Sequence, residues 1–278
     1  MTTTRSARFL TGLLLLLMAA PAGAGSETPP EGPPWVRELA AAQTEALKRG
    51  VPIFVYLTKT YCPHCVKLEK EVLGQEGIAP IYEKAVWLYV FRDFSKSEDD
   101  RAAERVALRL GFSSYPQHHL LHPVTLERIA TPSRSIQGFL DTFARADVGE
   151  IGTVEAPGAI AAAEARAAAL ETKRSVKAAL RALDEDADIV VRFRALQVLA
   201  EKKPVEVVKR AEALMGIPND LLRYEVCATL KAHGDAAAAP VLEATVRAPE
   251  NSLNPNVLRI RAVQALAECG TADSIAVI

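Results

Sequence analysis

One stretch of ten residues occurs three times in the second half of the chain, and that recurrence restricts what this half can build. Val190-Val191-Arg192-Phe193-Arg194-Ala195-Leu196-Gln197-Val198-Leu199 returns at 221–230 and again at 257–266. Arg192, Arg223 and Arg259 align, and so do the apolar columns Phe193/Tyr224/Ile260, Leu196/Cys227/Val263 and Leu199/Leu230/Leu266. Apolar residues three apart fall on one face of a helix, where they pack against a partner helix. Each copy is followed by a second helical segment, at 205–215, 236–247 and 272–278, and 159–170 with 175–183 supply an earlier, more degenerate pair. Offsets of 31 and 36 residues suit helix-pair units, which bury a continuous core only by stacking.

These units resemble HEAT repeats, in their length and in the Asp-then-Val-Arg opening of Asp188 to Arg192. The resemblance implies an all-α HEAT-like helical repeat domain over 159–278, offering a surface to a protein partner. The aligned arginines read either as a ladder for an acidic partner or, more plainly, as bonds to carbonyls and acids of the neighbouring unit. Cys227 stands in a core column and reads as a small buried hydrophobe. Cys269 closes the third copy, and its pairing with Cys227 is left open.

Ahead of the stack, 149–158 carries Gly, Pro and acidic residues and reads as a linker. From 35 to 148 the pattern alternates between helix and strand. Helices are expected at 35–48, from the strand end to 73, at 97–110 and at 136–146. Strands are expected at 52–58, 86–91, 117–122 and 126–130. Such alternation indicates an α/β layer domain. Within it Cys62-Pro63-His64-Cys65 follows the apolar run Ile53-Phe54-Val55-Tyr56-Leu57 and precedes a helix-forming stretch. A cysteine at a strand-to-helix junction has its thiolate favoured by free backbone N–H groups, which can bring its pKa to about 3.5–7.5. That placement argues for dithiol–disulfide chemistry between Cys62 and Cys65. A permanent tight disulfide and half of a zinc site are the bland alternatives; the latter is weakened because the other two cysteines lie in the repeats.

Tyr61 before the Cys-x-x-Cys, and Tyr115-Pro116 before a late strand, make this half resemble the thioredoxin superfamily over roughly 35–147. The resemblance implies an α/β thioredoxin-like domain, a central mixed sheet flanked by helices, with a cis bond before Pro116 beside the dithiol. It also implies a thiol–disulfide oxidoreductase in which Cys62 attacks and Cys65 resolves the mixed disulfide. His64 would favour the Cys62 thiolate, and Tyr61, Pro63, Tyr115 and Pro116 would shape the substrate groove. The tetrapeptide is shared with the periplasmic oxidase DsbA, while Val66-Lys67-Leu68-Glu69 resembles small secreted proteins related to the C-terminal domain of DsbD. Both thioredoxin and DsbA carry a buried acid six residues before the first cysteine. Here that position is Tyr56, which leaves water, Lys59 or His64 to move the resolving thiol's proton.

The first 24 residues read as a secretory signal. Arg5 and Arg8 precede an apolar run of about 12 residues, too short to span a bilayer, and Ala22-Gly23-Ala24 forms a small-residue cleavage site. A Pro- and Glu-rich lead-in at 25–34 is expected to be disordered. The expected location is periplasmic or secreted, where disulfides persist. Four cysteines are too few for a disulfide-built scaffold. A net charge of −1, with no long run of one sign, gives no support for nucleic-acid binding, and no permanent membrane anchor is indicated. The expected partner is a protein with exchangeable thiols, and no cofactor or metal is called for. Two rival readings are a redox-sensing scaffold whose repeats bind a partner, and a copper-handling Cys-x-x-Cys protein using His118 and His64. His118, His119 and His122 read more simply as residues at the rim of a sheet.

Overall fold

The computed structural model describes residues 27–149, 156–249, 252, 254–270, 272 and 274. The expected leader, 150–155 of the expected linker and most of the segment expected at 272–278 lie outside the described residues.

Strand β1 (Trp35–Val36), β2 (Ile53–Lys59), β3 (Val86–Arg92), β4 (Gln117–Leu121) and β5 (Arg128–Ala130) form one mixed sheet of order β1-β3-β2-β4-β5. The first three run parallel, while β4 pairs antiparallel with β2 and with β5. Alternation along the strands sorts their side chains onto two faces. Ile53, Val55 and Leu57 join Val86, Leu88 and Val90 beneath helices α1 (Leu39–Arg49) and α3 (Glu98–Leu110). Phe54, Tyr56, Trp87 and Tyr89 form the opposite, aromatic face. It is covered by α2 (Pro63–Leu68), a π turn at Glu69–Leu73, a 3₁₀ run at Glu76–Lys84, and α4 (Ile136–Arg145), whose Phe143 stacks on Trp87 at 5.5 Å.

The start of the expected helix at 35–48 is a strand. Trp35 and Val36 pair with Trp87 and Leu88, and the indole meets the rings of Phe54, Tyr56, Trp87 and Tyr89. Two β-formers gain more from that aromatic face than from a first helical turn. The lead-in at 27–34 carries no helix or strand, yet it is tied down: Pro30 O accepts from Trp35 Nε1 at 2.9 Å and Glu27 O from Arg37 at 2.8 Å.

The second half is helical: α5 (Ala156–Lys173), α6 (Val176–Glu185), α7 (Ile189–Lys202), α8 (Val205–Val208), α9 (Ala211–Gly216), α10 (Asp220–His233), α11 (Ala239–Arg247) and α12 (Pro255–Cys269). The recurring decads are the bodies of α7, α10 and α12. Asp188 and Asn219 cap the first two by accepting from backbone N–H groups. Leu196, Leu199, Cys227, Leu230 and Leu266 are buried in one core. The column ending in Ile260 departs from the expected pattern, because that side chain is 56 % exposed. Arg192 donates to Asp186 O and Arg259 to Val246 O, the plainer of the two readings for these arginines.

The two halves are packed together. Leu108, on α3 of the sheet domain, is fully buried in the core of the repeats. Arg109 pairs with Asp188 at 3.3 Å, and Glu104 with Arg194 at 2.8 Å.

Candidate active site

Strand β2 delivers the chain to its C-terminal edge, where Tyr61 turns into α2 with a left-handed φ of 53°. Cys62 is the N-cap of α2, and its Sγ accepts from Cys65 N at 3.3 Å. Pro63 at the first helical position loses no hydrogen bond there. Cys62 and Cys65 form a disulfide with Cα atoms 5.2 Å apart. Cys62 is 4 % exposed and Cys65 wholly buried, so what access there is lies at the first sulfur. Tyr61, Pro63 and His64 are exposed around it. The Tyr115–Pro116 bond, in the loop between α3 and β4, is cis as the resemblance implies.

The missing acid at position 56 has a counterpart on the helix side. Tyr56 donates its hydroxyl to Glu69 Oε1 at 2.8 Å and lies 3.4 Å from the Cys65 carbonyl oxygen. Thr58 Oγ1 is 3.5 Å from the same carboxylate oxygen. Burial pushes Glu69 above the usual carboxylate range, against the opposing hydrogen bonds from Tyr56 and Thr58. Burial, reinforced by the charge of Glu69, raises Tyr56 as well and keeps it protonated. Sequence reasoning missed Glu69, although its spacing carried a signal: four residues after Cys65 it shares that residue's helix face. Lys59 is engaged elsewhere, its Nζ over the rings of Tyr115 at 5.4 Å and Phe94 at 5.9 Å.

Phe94 is a second residue the sequence did not single out. It is 52 % exposed, has a left-handed φ of 61°, and meets Tyr115 edge-on at 6.2 Å. The loop that presents it is built on Asp100, whose buried carboxylate accepts from Arg92 Nε at 2.9 Å, Phe94 N at 3.1 Å and Lys96 N at 3.2 Å. Phe94 also opens onto a cleft of about 610 Å³ between the sheet domain and the repeats, whose lining includes Arg92, Lys96, Arg194, Gln197 and Glu225.

His118 and His119 are buried on opposite faces of β4. His118 Nε2 is 3.0 Å from Pro132 O, while His119 is bonded to Thr131 and Gln117 at 2.6 Å each. Burial holds both rings down to about 4. His122 accepts from Val124 N and Thr125 N in the turn before β5. No group of three or more His, Cys, Asp or Glu side chains among the described residues is placed to hold a metal. Cys227 and Cys269 are free buried thiols; burial pushes Cys227 up to about 12, and Cys269 donates to Leu230 O at 3.0 Å. No helix among the described residues is long and apolar enough to cross a membrane.

A Cys62–Cys65 pair at a strand-to-helix junction and a cis-proline loop, on a mixed sheet joined to a helical stack, define an α/β domain fused to a repeat module. Residues 34–123 match the family model described as thioredoxin-like, and residues 176–267 match the one for HEAT repeats. The chain thus carries a thioredoxin-like domain followed by HEAT repeats, which point to redox function and to protein interaction respectively. No curated protein and no solved structure matches it.

Proposed function

We propose that the protein is an exported thiol–disulfide oxidoreductase that acts on protein cysteines through Cys62 and Cys65, with the repeats as its interaction module. The observation that carries this reading is the Cys62–Cys65 disulfide at the head of α2. In the oxidising sense a substrate thiolate attacks Cys62 Sγ, forming a mixed disulfide and breaking the bond to Cys65. The Cys65 sulfur leaves with the electron pair and takes up a proton, which Glu69 supplies. A second substrate thiolate then attacks the substrate sulfur of the mixed disulfide, and Cys62 departs as a thiolate. The substrate has lost two electrons and the enzyme pair has gained them. Run backwards, the same steps reduce a substrate disulfide, with Glu69 receiving the Cys65 proton.

His64, exposed beside Cys62, favours that thiolate when protonated and so makes the disulfide more oxidising. Tyr61, Pro63, Tyr115 and Pro116 form the groove, and Phe94 extends it toward the cleft. Export to the periplasm or beyond follows from the leader and suits a pair that must meet oxidised partners.

The test is Cys62→Ser, expected to abolish both reduction of insulin disulfides and oxidation of protein thiols. Full activity in that variant would remove the assignment. The potential of the pair sets the direction: a value near about −120 mV belongs to an oxidase and one near about −270 mV to a reductase.

A further inference from the structure

The loop that ends in Pro116 is held from outside its own domain. Ser113, three residues before the proline, uses the full capacity of its hydroxyl. It donates to Asp220 Oδ2 at 3.3 Å and accepts from Asn254 Nδ2 at 2.7 Å and from the Tyr224 hydroxyl at 3.4 Å. All three partners belong to the repeats: Asp220 and Tyr224 lie on α10, and Asn254 precedes α12. Asp220 is itself braced, since its Oδ2 accepts from Ser252 Oγ and from Asn254 N, each at 3.0 Å.

The loop's root is tied to the same place. Asn219, the N-cap of α10, donates to Leu108 O at 2.6 Å in the last turn of α3. Asn219 and Asp220 are 6 % and 2 % exposed, so water offers these bonds little competition. Gly111 ends α3 with a left-handed φ of 68°, and the chain then runs past Ser113 to the cis bond. Both anchor points of the approach to Pro116 therefore lie at the starts of α10 and α12.

We propose that the helical repeats position the substrate-docking proline, with Ser113, Asp220 and Asn254 as positioning residues for exchange at Cys62. This rests on the thiol–disulfide reading given above. Ser113 acts through Pro116: freeing its hydroxyl loosens the loop against which a substrate backbone docks, without altering the sulfurs.

The experiment uses the full chain with Ser113→Ala, Asn254→Ala and, as a control, Asp188→Ala, which breaks the Arg109–Asp188 contact between the halves but leaves 111–116 untouched. Hydrogen exchange at the amides of 112–115 should quicken about tenfold in the first two variants and not in the control. In the same two variants KM for a disulfide-bonded protein such as insulin should rise about five- to tenfold, with kcat and the alkylation rate of reduced Cys62 by iodoacetamide little changed. Unchanged exchange at 112–115 overturns the proposal. So does faster exchange with an unchanged KM, or an equal KM rise in Asp188→Ala, which would indicate general loosening. A wild-type chain that turned over no protein disulfide would instead remove the thiol–disulfide reading, and the exchange measurement would still judge the clamp.

Discussion

Half-buried Glu69 and the buried histidines of β4 answer pH in opposite senses. Tyr56 on β2 faces His118 on β4 in the sheet register, and Tyr56 carries Glu69 behind it. Glu69 is raised by burial, so the folded state binds its proton more tightly than the unfolded chain. Its effect is to lower stability as pH climbs from the ordinary carboxylate range through the raised value. His118 and His119 are held down to about 4 by burial. The unfolded chain takes up their protons below about pH 6.5, so stability falls between there and pH 4, by up to about 3 kcal/mol for each ring. Melting curves against pH check both: Glu69→Gln should raise Tm at pH 8 by about 2–4 °C. The pair of changes His118→Gln and His119→Gln should flatten the acid limb. Of these residues the sequence flagged the histidines and the missing acid at Tyr56. The spacing of Glu69 from Cys65 hinted at a shared helix face, but not that this face lies against Tyr56, which depends on how α2 packs over β2.

At the scale of elements, much of the sheet domain was legible because β2 and β3 are built on continuous apolar runs and α3 and α4 begin at serine caps. Ser97 and Ser135 accept from backbone N–H groups at the starts of α3 and α4, close to where the sequence places those helices. Two expectations were not met. Trp35 and Val36 form a strand because their packing on the aromatic face outweighs helical propensity, and the helix expected at 205–215 is divided into α8 and α9. The loop at 93–97 was unreadable for a different reason. Its shape depends on three donors converging on Asp100, two of them backbone N–H groups whose direction no side chain records. Asp100→Ala should cost about 1–3 kcal/mol, since buried Arg92 keeps only Glu104 and the N–H groups of Phe94 and Lys96 lose their acceptor. It should also free Phe94 from its place beside Tyr115. Calorimetry reads the first effect and exchange at 94–97 the second.

Across the whole molecule, an ion-pair chain crosses from one half to the other. Asp100 holds Arg92 at 2.9 Å, Arg92 reaches Glu104 at 3.3 Å, Glu104 meets Arg194 at 2.8 Å, and Arg194 bonds Glu171 at 2.6 Å. Arg194 also donates to Gln197. Arg194→Ala should destabilise by about 3 kcal/mol, because it leaves Glu104 and Glu171 without their shared partner. Thermal unfolding should then separate into two transitions where the wild type shows one. None of this joining was visible from sequence. The two compositions announce two modules, while the contacts between them link residues up to 141 positions apart. Leu108 carries this furthest, since a residue of the sheet domain completes the core of the repeats. A chain grows from its N-terminus at about 5–20 residues per second, so the helix bearing Leu108 is made seconds before the repeat helices whose core it enters. For that interval Leu108 has no core to enter, and the sheet domain keeps an open apolar edge until the repeats arrive to close over it.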